Sequence, residues 1–366
     1  MFTITSSKNA AKISAISTTL ITGFLGVGKT TAILQLLANK PKNENWAVLV
    51  NEFGEVGIDS TLLAGNVNEG DSNKKGVFIR EVPGGCMCCA SGVPMQVALN
   101  QLISKAKPDR LIIEPTGLGH PKEVVDVLTS GKYQELISLQ SIFCLVDARN
   151  LTDIRYTEHP SFVQQLKVAD IILAAKADKY SAQDEENLSR YIASNNLSEK
   201  TLHLIKHGNI DPSWLAQEHN AAIAAKPTIG IAAHSKQKAA HKMELAYQKE
   251  LESNHAQQTQ LEQNGFIELS NQGEGYFSKG WIFSNKYMFN YEQLTVLITS
   301  LEVTRIKGVV LTNKGSYSFN KAGSDLSFDK VTTTQDSRIE LIDTNRNVLN
   351  NVTYEQLLKL ILINSQ

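Results

Sequence analysis

Between residues 18 and 204, short apolar runs alternate with longer amphipathic segments. The apolar runs predict strands at residues 18–22, 47–51, 76–81, 110–114, 140–146, 171–175 and 202–205. The amphipathic segments predict helices at residues 30–39, 94–105, 121–129, 160–169 and 183–194. Because the strand segments are apolar almost throughout, the pattern indicates an α/β fold in which helices cover both faces of a mostly parallel sheet.

A second region follows a polar stretch. Residues 211–263 are rich in Ala, His, Lys, Gln and Glu, which predicts a partly helical linker. Beyond it, the pattern predicts strands at residues 266–269, 280–283, 308–312, 316–319 and 338–342, and helices at residues 291–301 and 353–363. We therefore divide the chain into a first α/β domain (1–210), a linker (211–263) and a smaller C-terminal α+β domain (264–366).

Composition narrows the classes of partner. The 36 Lys and Arg residues nearly balance the 37 Asp and Glu residues, giving a formal net charge of −1. This balance argues against nucleic-acid binding through bulk positive charge. No apolar run approaches the ~20 residues that a membrane-spanning helix needs, and the N-terminus lacks the apolar core of a secretory signal. Three of the four cysteines lie within four residues, which fits a reducing compartment, so we expect a cytoplasmic protein.

The sequence GFLGVGKTT, from Gly23 to Thr31, fits the pattern G-x-x-x-x-G-K-[ST] between a predicted strand and a predicted helix. Glycines allow backbone N–H groups to approach phosphate oxygens, and the start of the helix adds the positive end of its dipole. Lys29 can neutralise the β- and γ-phosphates, and the Thr30 hydroxyl can ligate Mg²⁺. The residues predicted to hold the phosphates are Gly23, Gly26, Val27, Gly28, Lys29, Thr30 and Thr31.

A carboxylate ends the strand predicted at residues 110–114. Glu114 is followed by Pro, Thr and Gly117. In a phosphate-loop protein the neighbouring strand delivers an acidic group to Mg²⁺ or its water shell, so Glu114 is the candidate. Gly117 is placed to offer its N–H to the γ-phosphate. The alternative is a charged residue that simply terminates a strand.

The segment NEFGEVGID, residues 51–59, follows the next predicted strand and holds three acids beside flexible glycines. This composition predicts a switch that touches metal or orients water. Glu52 and Glu55 are both candidates for activating the water. The alternative is an exposed acidic loop.

The cysteine cluster lies in GGCMCC, residues 84–89. Cys86, Cys88 and Cys89 bring three soft thiolates onto one short turn. Zn²⁺ prefers such ligands in a tetrahedron, and three thiolates leave one position open for a receiving ligand. The alternatives are free buried cysteines or a redox switch. Cys144, inside an apolar run, fits a buried free cysteine.

The sequence Ala175-Lys-Ala-Asp178 follows another predicted strand. It is similar to the N-K-x-D pattern of GTPases, in which the Asp carboxylate accepts hydrogen bonds from guanine and the Lys stem packs on the base. Asp178 and Lys176 therefore favour GTP over ATP. Ala175 stands where the pattern has Asn, which predicts weaker guanine binding.

Residues 23–31, 51–59, 84–89 and 114–118, in this order, resemble the CobW-type metallochaperone GTPases, and most of all their YeiR branch of zinc-binding GTPases. The likeness continues in GEGYFSKGWIF and RIKGV, at residues 273–283 and 305–309. It implies GTP hydrolysis coupled to holding or delivering a metal, usually zinc. It also implies thiolate ligation by Cys86, Cys88 and Cys89, with Glu55 as a further metal contact.

We therefore expect a slow Mg²⁺-dependent GTPase that binds zinc and delivers it to an unidentified client metalloprotein. Lys29, Glu52 and Glu114 are the expected catalytic residues, and GTP, Mg²⁺ and Zn²⁺ the expected ligands. Neither nucleic acid nor membrane is expected as a partner, and the sequence leaves self-association open. Two other classes stay open: a nucleotide-binding zinc buffer or sensor without turnover, and a phosphate-loop ATPase or kinase with structural thiols.

Overall fold

The computed structural model describes residues 15–51, 58, 76–82, 93–131, 133–219, 252, 256–273, 275–323 and 325–363. Two sheets organise these residues, one in each half of the chain. The predicted cysteine cluster (84–89), the interior of the acidic segment (52–57) and most of the predicted linker lie outside the described residues.

The first sheet has seven strands in the order β3-β2-β4-β1-β5-β6-β7. Its strands are β1 (Ile16–Gly23), β2 (Trp46–Val50), β3 (Val77–Glu81), β4 (Arg110–Glu114), β5 (Ile137–Val146), β6 (Ile171–Ala174) and β7 (Thr201–Leu204). All the strand pairings in this sheet are parallel. The predicted α/β class with a mostly parallel sheet is thus confirmed.

Helices cover the sheet on both faces. The central strands are therefore buried along nearly their whole length. The helices are α1 (Lys29–Ala38), α2 (Val93–Ala106), α3 (Pro121–Leu128), α4 (Tyr133–Leu136), α5 (Ile154–Thr157), α6 (Pro160–Val168) and α7 (Ala182–Ser194). One apolar cluster joins α2 and α3 to the sheet through Leu99 and Val124, and another joins α1 through Ile33 and Leu36. The strands therefore have the near-continuous apolar character that two covered faces require.

The second half forms a mostly antiparallel sheet. After a helix at residues 256–264, α8, its elements are β8 (Phe266–Gly273), β9 (Tyr276–Phe283), β10 (Tyr287–Phe289), α9 (Tyr291–Ser300), β11 (Arg305–Thr312), β12 (Gly315–Ala322), β13 (Asp325–Lys330), β14 (Ser337–Asp343), α10 (Arg346–Asn350), α11 (Tyr354–Leu358) and β15 (Ile361–Ile363). The strand order is β13-β12-β11-β14-β9-β8, and β10 pairs with β11 and β15. Trp281, Phe283 and Phe319 pack against Leu294 and Ile298 of α9 to form the core. A smaller second domain, rich in strands, is therefore present.

The prediction of one last helix over residues 353–363 is wrong in its second half. The helix spans only Tyr354–Leu358, and its N-terminus is closed by reciprocal hydrogen bonds between Thr353 and Gln356. The following residues, Ile361–Ile363, form a strand that pairs antiparallel with Tyr287–Phe289. The backbone of β10 offers hydrogen bonds that a short apolar, β-branched run satisfies better as a strand than as another helical turn.

Within the part of the chain that the structure describes, no helix combines the length and apolar character needed to cross a bilayer.

The close packing of β11 leads to a prediction about stability. A methyl group added at Gly308 would lie 2.6 Å from Phe319 Cε1 and 2.7 Å from the Arg338 carbonyl oxygen. We expect Gly308→Ala to lower the free energy of unfolding by about 1–3 kcal/mol, since the ring and the neighbouring strand must shift. Urea denaturation followed by circular dichroism measures this loss.

Gly76→Ala is the matched control for this change. Its added methyl group would meet Phe78 Cε2 at 3.5 Å, an ordinary van der Waals distance. The control should keep the wild-type unfolding midpoint. Equal midpoints for Gly308→Ala and Gly76→Ala would contradict the packing described for β11.

Candidate nucleotide site

The loop between β1 and α1 follows the predicted phosphate-binding motif. Gly23 has φ 148° and Gly28 has φ 105°, conformations that L side chains rarely adopt. A methyl group at Gly23 would also lie 2.7 Å from the Leu145 carbonyl oxygen on β5. The helix α1 begins at Lys29, directly after this loop. The backbone therefore turns tightly and brings the N-terminus of a helix to the carboxyl edge of the sheet.

Lys29 lies inside this loop. Its side chain is buried, and Nζ donates to the carbonyl oxygens of Gly23 at 2.9 Å and Phe24 at 3.3 Å. Of the other predicted phosphate contacts, Thr30 is half-buried in the first turn of α1 and Thr31 is exposed. Gly26 and Val27 are buried. The ammonium group is thus held where a phosphate oxygen would replace the carbonyl oxygens as its acceptor.

The turn after β4 lies directly against the phosphate loop. A methyl group at Gly117 would lie 3.0 Å from the Leu25 nitrogen and 3.1 Å from Lys29 Nζ. Glu114, at the end of β4, is 3% exposed, and its carbonyl oxygen accepts from the Asn51 N–H at 2.8 Å. The structure therefore brings the predicted acidic strand end and its glycine turn beside the predicted phosphate-binding lysine.

Helix α6 holds this turn in place, a contact that the sequence analysis missed. Gln165 donates to the Gly117 carbonyl oxygen at 2.9 Å, and the Ser161 hydroxyl donates to the Leu118 carbonyl oxygen at 2.8 Å. Both side chains are fully buried. The ring nitrogen Nδ1 of His120 lies 2.6 Å from Gln164 Oε1, which gives that histidine a local hydrogen bond. The signal in the sequence was the presence of polar residues, Ser161 and Gln165, within a predicted amphipathic helix.

The chemistry of these side chains fits Mg²⁺. This ion takes oxygen ligands from hydroxyl and carboxylate groups, and usually keeps several waters beside the phosphates. Thr30 supplies a half-buried hydroxyl in the first turn of α1, and Glu114 supplies a buried carboxylate at the neighbouring strand end. Gly117 lies in the turn that follows Glu114, and its lack of a side chain leaves room beside Lys29.

The predicted base-recognition segment reaches the same edge from β6. Lys176 has φ 61°, and its Nζ donates to the Gly26 carbonyl oxygen at 2.9 Å. The same ammonium lies 3.3 Å from Asp147 Oδ2, a buried carboxylate that follows β5. Lys176 therefore connects two predicted nucleotide-binding segments that are 150 residues apart in the chain.

Asp178 follows two residues later and faces the loop after β7. Its Oδ1 accepts from the His207 N–H at 3.2 Å. Partial burial disfavours the charged form of Asp178, but hydrogen bonds from backbone N–H groups and the nearby His207 and Lys179 hold its pKa below the usual value. The carboxylate is therefore ionised at neutral pH and can accept hydrogen bonds from a base.

Tyr180 secures this segment, which lacks the asparagine of the GTPase pattern. Its hydroxyl accepts from the Ala148 N–H at 2.9 Å and lies 2.7 Å from the Ala175 and 3.3 Å from the Val146 carbonyl oxygens, either of which it can donate to. These backbone groups belong to the ends of β5 and β6. One half-buried phenol therefore fixes the spacing of the two strand ends on which Lys176 and Asp147 depend. This tyrosine is not among the predicted site residues, since nothing nearby in the sequence marks its partners.

The predicted zinc ligands Cys86, Cys88, Cys89 and Glu55, and the predicted catalytic Glu52, lie outside the described residues. In the part of the chain that is described, no group of three or more His, Cys, Asp or Glu side chains is arranged to hold a metal ion. Cys144 is a free cysteine, and complete burial raises its pKa to about 12, so the prediction of a buried free cysteine is confirmed.

The strand that precedes the cysteine cluster in the chain, β3, belongs to the described residues. Val82 follows β3, and its N–H donates to the Val50 carbonyl oxygen at 2.8 Å. In the sheet, Glu81 is opposite Val50, and Val50 is opposite Glu114. The chain thus leaves β3 for the cysteine cluster about 10 Å, two strand spacings, from the end of β4.

Comparison with known proteins finds relatives across most of the chain. The family described as CobW/HypB/UreG, nucleotide-binding domain, matches residues 17–203. Zinc chaperone YeiR of Escherichia coli K12 is 42% identical over 328 residues, 89% of this chain and 93% of YeiR. Zinc chaperone YjiA of the same organism is 31% identical over 205 residues, 54% of this chain and 60% of YjiA. The crystal structure of Zn(II)-bound YjiA GTPase from E. coli covers 94% of this chain and 99% of its own, with 19% identity and a TM-score of 0.41.

The role of Tyr180 can be tested by removing its hydroxyl. Tyr180→Phe leaves the backbone groups of Ala148 and Ala175 without this partner and frees the loop that carries Lys176 and Asp178. We expect the affinity for GDP to fall about 5- to 30-fold, corresponding to ~1–2 kcal/mol for a buried hydrogen-bonded hydroxyl. Titration with a fluorescent guanine nucleotide measures it.

Tyr191→Phe is the matched control, because the Tyr191 hydroxyl makes no hydrogen bond with any residue that the structure describes. It should bind GDP as the wild type does. If Tyr180→Phe also kept the wild-type affinity, the phenol would not position the recognition segment.

Proposed function

Because the chain belongs to the CobW/HypB/UreG family, we propose that it is a Mg²⁺-dependent GTPase that binds zinc and delivers it to a client metalloprotein. The resemblance seen in the sequence is confirmed at the level of the family. The similarity of this chain to zinc chaperone YeiR covers most of both chains, which supports zinc as the metal. The observation that carries the nucleotide part of the proposal is the hydrogen bond from Lys176 to Gly26, which joins the base-recognition and phosphate-binding segments.

In this proposal the phosphate loop binds the β- and γ-phosphates through its backbone N–H groups. Lys29 exchanges its acceptors in Gly23 and Phe24 for phosphate oxygens. Thr30 and Glu114 would hold Mg²⁺, which when bound supplies positive charge against the phosphate oxygens. Gly117, beside Lys29, offers its N–H to the γ-phosphate. Glu52 and Glu55 remain the candidates for orienting the attacking water.

Guanine recognition would use the ends of β6 and β7. The ionised Asp178 accepts from the base, and the stem of Lys176 packs against its face. The segment after β6 is fixed by Tyr180, and the segment after β7 is fixed by the hydrogen bond from the His207 N–H to Asp178. Preorganised acceptors of this kind discriminate between bases, because the wrong base leaves a charged group without its hydrogen bonds.

Zinc would be carried by Cys86, Cys88 and Cys89, with Glu55 as a further ligand. Three thiolates bind zinc tightly and leave a position at which a client ligand can enter. The strand β3, which precedes the cysteine cluster in the chain, ends at the same sheet edge as Glu114. We propose that GTP orders the loops at this edge and changes the zinc affinity, and that hydrolysis favours transfer.

Base specificity tests the nucleotide part. Asp178→Asn replaces a charged acceptor by an amide, and each hydrogen bond to a charged group contributes ~1.5–3 kcal/mol. We expect GDP affinity to fall about 100-fold or more, and XDP to bind better than GDP, because xanthine presents a carbonyl where guanine presents an amino group. Competition titrations of the two nucleotides measure both effects.

Glu185→Gln removes one negative charge from the exposed surface of α7 and serves as the control. Wild-type preference for guanine in both variants would exclude Asp178 as the base-reading residue. Equal competition by ATP in the wild type would favour the ATPase alternative.

Measurements of zinc affinity test the part of the proposal that concerns zinc binding and delivery. The reduced protein is titrated with zinc against a chromophoric chelator, with Mg²⁺ and GTPγS, with Mg²⁺ and GDP, and without nucleotide. We expect tight binding that differs between GTPγS and GDP and is lost in a Cys86/Cys88/Cys89→Ser variant. Cys144→Ala should bind zinc normally, because that thiol is buried. Affinities that are indifferent to nucleotide would contradict GTP-gated delivery.

A further inference from the structure

The second domain contacts the nucleotide site through the hairpin of β12 and β13. Ala322, the last residue of β12, pairs with Asp325, the first residue of β13. A methyl group added to Gly26 of the phosphate loop would lie 2.9 Å from Ala322 Cβ. Gly26 is buried beneath this contact. The end of the hairpin therefore covers the glycine whose neighbourhood is predicted to receive the phosphates.

Asp325 makes this contact strongly ionic. Its carboxylate accepts from Arg149 Nη1 at 3.1 Å and from Lys179 Nζ at 3.1 Å, and it forms a further ion pair with Arg149 Nη2. It also lies 3.4 Å from Lys176 Nζ. All three cations belong to the first domain. The guanidinium of Arg149, with the two lysines, holds the pKa of Asp325 well below its usual range, so the carboxylate is charged.

Two further observations relate the second sheet to residues of the first half of the chain. Ile58, from the predicted switch segment, is fully buried beside Ile282, Val309 and Val331 of the second sheet. Lys307 on β11 is buried 3.5 Å from Glu340 on β14. Burial lowers the pKa of Lys307 to about 8 against the attraction of Glu340, and the charge of Lys29 lowers it further. The phosphate-loop lysine is therefore close enough for its charge to reach the second sheet.

This arrangement opposes nucleotide binding for two physical reasons. A carboxylate beside the phosphate loop repels the negative charges of the phosphates. Asp325 also occupies Lys176, the side chain whose stem is proposed to pack on the base. A bound nucleotide and the docked hairpin therefore compete for Lys176, and their negative charges repel each other beside the phosphate loop.

We propose that the β12–β13 hairpin is a competitor built into the chain, in which Asp325 lowers the affinity of the site for guanine nucleotides until the second domain moves. The proposal rests on the proposed guanine-nucleotide binding and adds its regulation. Because coupling is reciprocal, nucleotide binding weakens hairpin docking by the same factor as docking weakens nucleotide binding. A partner that binds the second domain and displaces the hairpin would thereby change the affinity of the site for guanine nucleotides.

The test compares Asp325→Asn with the wild-type full-length protein. The amide keeps the shape of the side chain and removes its charge. We expect the Kd for GDP to decrease about tenfold, within the usual range of coupling between sites. Asp329→Asn is the matched control, since it removes a charge from an exposed position on the same strand, and its Kd should stay that of the wild type.

Hydrogen exchange of the hairpin amides gives the second readout. In the wild type, GDP should speed exchange at residues 315–323 and 325–330, because the hairpin leaves its cations. In Asp325→Asn, exchange should already be faster without nucleotide. A circular dichroism melt equal to that of Asp329→Asn confirms that the variant is folded.

The outcomes separate this inference from the function it builds on. If the wild type binds GDP and Asp325→Asn binds it equally or more weakly, the hairpin does not compete and the inference fails alone. If GDP leaves the hairpin exchange of the wild type unchanged, the inference also fails alone. If the wild type binds no guanine nucleotide, the proposed function fails and the inference with it.

Discussion

The parallel direction of the first sheet is the constraint on which the site depends. Because β1, β4, β5 and β6 are paired in parallel, the loops that follow them meet at one edge. Chain segments that begin at Gly23, Glu114, Asp147 and Ala175 are thereby brought together although they are far apart in sequence. In an antiparallel sheet the same loops would be divided between two edges. The sheet topology thus gathers polar groups at the edge where ligands typically bind in α/β folds.

Charge balance dominates the chemistry of this edge. The described residues place the cations Lys176 and Arg149 close to the carboxylates Asp147 and Asp325, and Lys29 against the carbonyl oxygens of Gly23 and Phe24. Buried charges persist only when they are paired or hydrogen-bonded, so each cation of the pocket has acceptors before any ligand arrives. In the function proposed above, a nucleotide replaces some of these acceptors with phosphate oxygens. The cost of that exchange would link ligand binding to the position of Asp325, the acidic residue that comes from the second domain.

Most of the fold could be predicted from the sequence because its patterns are local. The strand from Arg110 to Glu114 was predicted to the residue, since an apolar run ends there in a carboxylate. The end of the chain was not, because Ile361–Ile363 is apolar enough for either helix or strand. Its conformation depends on pairing with β10, about 70 residues earlier. Local propensity is a weak guide wherever a distant strand supplies the hydrogen bonds.

The sequence by itself determined which residues form the predicted phosphate loop, the acidic strand end and the predicted base-recognition segment. Each needs particular residues at fixed short spacing, such as the lysine that directly follows Gly28. The tertiary structure decided how these segments are supported: Tyr180 bridges two strand ends, Gln165 holds the turn after Glu114, and Asp325 pairs with cations of the other domain. Such contacts join residues far apart in the chain, and a side chain carries no local mark of the distant group that it will meet once the sheet has formed.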